Sequence, residues 1–161
     1  MKALYDFRVL SGRLNQVLEL LDPNAASQYK EFREAAEEAL PYLRAFAAVD
    51  PLYWLGRVIL FNSRTPPHQD NSSPPAEWTP LHAGGDFSQG GTLFINDLNL
   101  RIRYLPGDLI FFRGRLLSHE VEPWEGGQRI SAAYFTHDSL WKQLGLRLSV
   151  SFYKEYPWLE S

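Results

Sequence analysis

The chain has 161 residues, 45% hydrophobic and 22% charged, with 16 Lys+Arg against 19 Asp+Glu and no cysteine. That length suits one compact domain over 1–161, and the lack of thiols excludes disulfide scaffolds, cysteine-ligated zinc, iron–sulfur clusters and cysteine nucleophiles, so any metal must be held by His, Asp or Glu. A formal charge of −3 argues against nucleic-acid binding through bulk positive charge and leaves only a local basic stripe open.

No run approaches the roughly 18 apolar residues of a membrane span. The opening Met1-Lys2-Ala3-Leu4-Tyr5-Asp6-Phe7-Arg8 has no secretory apolar core, so a soluble intracellular protein without membrane association is expected. Leu14, Val17, Leu18 and Leu21 recur at helical spacing between Arg13 and Leu21, and Asp22-Pro23-Asn24 ends that helix and starts another. The second runs over Ala25–Val49, with Tyr29, Phe32, Ala36, Leu40, Leu43 and Phe46 for one face and Pro41 to kink or split it. These residues form a helical brace over 1–50.

From Tyr53 onward short apolar runs alternate with turn signals. The spacing predicts strands over Trp54–Asn62, Glu77–His82, Thr92–Asn96, Leu100–Tyr104, Asp108–Phe112, Ser118–Glu122 and Arg129–Thr136. Strands this short and this closely spaced suit a jelly roll over 53–137, giving an α+β chain with two N-terminal helices bracing the sheet. Ser139–Leu144 reads as a short helix, and Leu148–Tyr153 as an edge strand, in a C-terminal extension over 138–161.

Of the four histidines, His68 and His119 draw attention first. In His68-Gln69-Asp70 alternate residues of an extended backbone point one way, so both outer side chains can meet one ion. The bland alternative is a turn with a cap hydrogen bond. Adding His119, several strands on, completes two histidines and one carboxylate, the facial ligand set of non-haem Fe(II) oxygenases. Arg129-Ile130-Ser131 then places a guanidinium and a hydroxyl on one face of a strand, where they can clamp a dicarboxylate. Arg129 can instead pair with Glu120, Glu122 or Glu125 at the surface, and Ser131 can simply be a small residue in a crowded barrel.

His68-x-Asp70, distal His119 and Arg129-x-Ser131, in that order, resemble the Fe(II)/2-oxoglutarate-dependent dioxygenases with a double-stranded β-helix (jelly roll) core, over about Trp54 to Asp138. The resemblance implies iron ligation by His68, Asp70 and His119, binding of 2-oxoglutarate by Arg129 with support from Ser131, and use of O2 with release of succinate and CO2. His82 can reach the inner carboxylate of 2-oxoglutarate or sit on an exposed strand face, and Arg64 can join the same site or be a rim charge.

The run Arg129-Ile130-Ser131-Ala132-Ala133-Tyr134-Phe135-Thr136-His137 is similar to the TET/JBP branch, which oxidises the methyl group of 5-methylcytosine or thymine in nucleic acid. Pro67-His68-x-Asp70, Gly85-Asp86-Phe87, Pro106-Gly107-Asp108, Leu116-Leu117-x-His119 and Glu122-Pro123-Trp124 resemble its fungal members. His137 would then contact the base edge, and Phe135 or another aromatic stack on it. Ser73 stands where the branch often has Asn or Asp for a further base contact, and Gln69 where it usually has Arg. DNA or RNA is the implied substrate, with a nuclear location. The alternatives are a hydroxylase of a protein side chain or small metabolite on the same iron site, and a non-catalytic jelly-roll binding module; a protein partner is left open. Arg101, Arg103, Arg113 and Arg115 form alternating pairs that read as a solvated sheet face or, alternatively, a stripe for phosphates.

Overall fold

The structure is a computed structural model that describes residues 2–149. Four helices, α1 (Lys2–Leu21), α2 (Pro23–Ala39), α3 (Leu43–Ala47) and α4 (Asp138–Gln143), accompany nine strands. These are β1 (Gly56–Phe61), β2 (Thr79–Gly85), β3 (Gln89–Gly90), β4 (Leu93–Ile95), β5 (Leu100–Ile102), β6 (Leu109–Phe112), β7 (His119–Val121), β8 (Trp124–Glu125) and β9 (Arg129–Phe135). All strand pairings among the described residues are antiparallel, an α+β arrangement. It gathers into two compact units, one of residues up to Leu55 together with those from Asp138 on, the other Gly56–His137. No helix among the described residues is long and apolar enough to cross a membrane.

In the helical unit, Ser11, Leu14, Asn15 and Leu18 form the buried stripe of α1, at the spacing of one helix face. The helix begins well before the apolar periodicity does. Asp22 caps α2 by accepting from Ala25 N–H at 3.0 Å, with Pro23 in the first turn. Tyr29, Phe32 and Ala36 are buried as expected, whereas Phe46 is exposed: α2 ends at Ala39, before Pro41, and Phe46 falls in the separate α3. Trp54, expected to open the first strand, packs on Tyr29 instead, with ring centroids 5.1 Å apart, while Trp141 of α4 stacks on Phe32 at 4.1 Å. The edge strand expected over Leu148–Tyr153 lies, beyond its first two residues, outside the described residues.

In the strand unit, β1, β9, β2 and β6 form one sheet in that order, β5, β4 and β7 a second, and β3 with β8 a two-stranded ribbon. Each strand expected between Trp54 and Thr136 has its counterpart here. β3 and β8 were missed because two residues carry no periodicity. Leu81 and Ala83 of β2 share one buried cluster with Leu93 and Ile95 of β4, Val121 of β7, Phe87, Tyr104 and Phe112. The registers Leu81↔Ala133 and Ala83↔Ser131 set these residues on the inner face, and His82↔Ala132 and Phe61↔Ile130 on the outer one.

Candidate metal and carboxylate site

His68 and Asp70 lie in the long connection between β1 and β2, and His119 opens β7. The two histidines exchange backbone hydrogen bonds, His68 N–H to His119 O at 3.0 Å and His119 N–H to His68 O at 2.9 Å, which makes an isolated antiparallel bridge. Their ring centroids are consequently 4.3 Å apart. Asp70 is brought to the same place by its own N–H, bonded to Gly114 O at 3.0 Å, and its Oδ1 stands 3.7 Å from His68 Nε2. One ligand atom from each of the three residues lies within 4.8 Å of the others.

Backbone carbonyls decide which ring nitrogens are available. His68 Nδ1 is 2.9 Å from Pro66 O, and His119 Nδ1 is 2.9 Å from Leu117 O. A carbonyl only accepts, so each Nδ1 carries the proton and each Nε2 presents its lone pair. Burial pulls the His119 pKa down, against the Leu117 carbonyl and the Asp70 charge. The resulting neutral imidazole is the form that ligates a metal. Thr79 donates its hydroxyl to Asp70 Oδ2 at 3.1 Å, leaving Oδ1 turned to the histidines. A Cβ at residue 114 would collide with Oδ2, so this close approach requires Gly114. Two nitrogens and one oxygen without a thiolate fit Fe(II) and similar divalent ions.

Arg129 opens β9 on the inner face and is 1% exposed, and its backbone is held by Asn62, whose Oδ1 accepts from Arg129 N–H at 2.8 Å. Its guanidinium sits among the rings of Tyr104, Trp124 and Phe87, at 5.0, 5.5 and 5.7 Å from their centroids. Nε and Nη2 have no hydrogen-bond partner, nor does the Tyr104 hydroxyl, and no carboxylate among the described residues is in ion-pair contact with Arg129. The surface pairing with Glu120, Glu122 or Glu125 is therefore not made. Glu122 pairs with Arg101 at 3.0 Å instead. Burial lowers the Arg129 pKa and raises that of Tyr104, so the pair presents a cation and a neutral O–H donor. A buried cation with unmet donors is costly until an anion meets it. The donor set fits a carboxylate.

Both ends open on one cavity of about 260 Å³, at the small end of ligand sites. His68, Asp70, His119, Arg129, Ser131, Tyr104, Thr79, Ser73, Phe135 and His137 line it, among apolar side chains such as Val58, Leu60, Leu93 and Val121. Phe135 lies against Gly56, where a Cβ would overlap its ring, and the His137 ring meets it edge-on at 5.3 Å. His82 does not line the cavity: its neighbours Leu81 and Ala83 point inward, so alternation turns it to the outer face beside Leu109 and Ala132. Arg64 is exposed and also absent from the lining. Arg113 lies over the Trp78 ring at 3.9 Å, and Arg115 bonds Asn71 Oδ1 at 3.0 Å, so these arginines have local partners.

Sequence reasoning missed Thr79, Tyr104 and Glu77. Glu77 is fully buried, its Oε1 accepts from Thr136 N–H at 2.6 Å, and burial pushes its pKa up to about 7 against the Ser73 and Thr136 hydroxyls. Only the inward parity of Thr79 on its strand could have flagged any of them.

Fold and site together define an antiparallel α+β protein whose cavity pairs a two-histidine, one-carboxylate cluster with a buried arginine. No protein-family model matches the chain, and no curated protein matches it. Among solved structures, its fold is similar to that of NgTET1 in complex with 5mC DNA, with a TM-score of 0.50 and 24% identity over 62% of this chain. This chain spans 42% of that one. At this identity the likeness is one of fold.

Proposed function

We propose that this chain is an Fe(II)- and 2-oxoglutarate-dependent dioxygenase with a double-stranded β-helix core, acting on the methyl group of a modified pyrimidine in nucleic acid. One observation carries the reading: a single cavity has the His68, Asp70 and His119 ligand atoms and the partnerless donors of buried Arg129. His68 Nε2, His119 Nε2 and Asp70 Oδ1 would hold the metal and leave coordination positions for 2-oxoglutarate and O2. The chemistry the iron supplies when bound is O2 activation coupled to conversion of 2-oxoglutarate to succinate and CO2, with one oxygen atom entering succinate and the other a substrate C–H bond.

The protein's own work is placement. Arg129, Tyr104 and Ser131 receive the distal carboxylate, and the bonds of Nδ1 to Pro66 and Leu117 keep both imidazoles aimed. Val58, Leu60, Leu93 and Val121 exclude water around the reacting groups. Phe135 and His137 form the wall assigned to the substrate, where a flipped base would stack and be read at its polar edge. The fold likeness to NgTET1, solved with 5mC DNA, favours this substrate class.

A second reading, hydroxylation of a protein side chain or small metabolite at the same iron site, is favoured by Gln69, whose amide is turned to Leu116 O at 3.4 Å and offers no cation to a phosphate. Incubation with Fe(II), 2-oxoglutarate and methylated DNA or RNA separates the two. Oxidised base with matching succinate supports the first; succinate formation indifferent to nucleic acid, with no oxidised base, contradicts it.

A further inference from the structure

Glu77 does not line the cavity, yet its carboxyl joins two segments that do. On one side is the loop that leaves Asp70, in which Ser73 N–H bonds Asp70 O at 2.9 Å and Glu77 N–H bonds Pro74 O at 3.0 Å. On the other is Thr136, which gives both its N–H and its hydroxyl to Glu77 Oε1. The β1–β9 ladder ends at the pair Gly56↔Phe135, so Thr136 has left the sheet and Glu77 takes the place of a strand partner. Thr136 is 1% exposed and does not line the cavity. Its two neighbours, Phe135 and His137, both line the cavity.

We propose that Glu77 is the positioning residue of the substrate-side wall, fixing from behind it the segment of His137 and Phe135, which line the cavity together with Ser73. The inference rests on the reading of that wall as the substrate's side. The geometry of the anchor does not depend on it. His68 and His119 are held by bonds to Pro66 O, to Leu117 O and to each other, none of which involves Glu77. Glu77→Gln keeps an acceptor oxygen for Thr136, whereas Glu77→Ala and Thr136→Val remove the carboxyl and the hydroxyl respectively.

The test is proton NMR of the four histidine rings in the wild type and these variants, paired with titration of Mn(II) and 2-oxoglutarate. His137 is expected to leave its position at the Phe135 ring, and to approach the shifts of a free histidine, in Glu77→Ala and Thr136→Val, but to keep it in Glu77→Gln. His68 and His119 stay put, and Mn(II) and 2-oxoglutarate affinities hold within about two-fold, while KM for a methylated oligonucleotide rises by roughly five-fold or more at similar kcat. Unchanged His137 resonances in Thr136→Val and Glu77→Ala overturn the proposal, as does movement of His68 and His119 together with His137. Should Glu77→Ala fail to fold, Thr136→Val and Glu77→Gln decide alone. A wild type that oxidises no base contradicts the functional reading, while the ring shifts still report on the anchor.

Discussion

Thr79 donates its hydroxyl to Asp70 Oδ2 at 3.1 Å, and by doing so leaves Asp70 Oδ1 as the oxygen that faces His68 Nε2. Partners of this kind around a metal ligand typically contribute about 10–100-fold to metal affinity. Thr79→Val keeps the shape and removes the bond, so Mn(II) binding should weaken by roughly ten-fold, with Thr79→Ser restoring most of it. Calorimetric titration checks this. Equal affinity in wild type and Thr79→Val would mean the bond does not orient the carboxylate.

Gly114 is the matching steric element. A methyl group at this position overlaps Asp70 Oδ2 and approaches Thr79 Oγ1 at 2.8 Å. Gly114→Ala should therefore displace Asp70 and destabilise the protein by about 1–3 kcal/mol, as overpacking generally does. The expected outcome is a lower Tm together with loss of Mn(II) binding. A variant with wild-type metal affinity would show that Asp70 can retreat at no cost.

Arg129 is predicted to serve the carboxylate and not the fold. Replacing a buried, unpaired cation by an apolar residue of similar length is often neutral or stabilising. Arg129→Met should thus keep the Tm of the ligand-free protein or raise it, while abolishing the Tm shift caused by 2-oxoglutarate in the presence of Mn(II). A large loss of stability without ligand would instead assign Arg129 a structural role.

Glu77 gives the strand unit a pH dependence whose sign is fixed by its shift. Its pKa in the folded protein is pushed up to about 7, above its ordinary value of 4.5, so between those values the folded state binds more protons than the unfolded one. Stability then falls as pH rises through that window, by an amount on the order of 2–3 kcal/mol. Glu77→Gln should flatten this part of the profile and be the more stable protein at pH 8. Denaturant unfolding at pH 5 and pH 8 measures it, and parallel profiles for the two proteins would contradict the assignment.

The iron-ligand reading was accessible in the chain because an alternating His-x-Asp, a distant His and an Arg-x-Ser each have a geometric meaning on extended backbone. Tyr104 had none, since an aromatic before Pro106-Gly107 looks like any strand end until the fold brings it to Arg129. Glu77 read as a polar residue opening a strand, and only its burial against Thr136 makes it unusual. His82 turned on parity: Leu81 and His82 are adjacent, one of them must face the cavity, and the packing of Leu81 and Ala83 decides against the histidine. The early start of α1 lies outside the Leu14–Leu21 run from which that helix is read in the sequence.

The proposed function requires one cavity to bind a metal and a dicarboxylate together. Calorimetric titration of 2-oxoglutarate into the protein, with and without Mn(II), tests it most directly. Binding is expected to require Mn(II) and to be abolished by His119→Ala and by Arg129→Met, each alone. Binding that is absent with Mn(II), or equally strong without it, would contradict the proposed function.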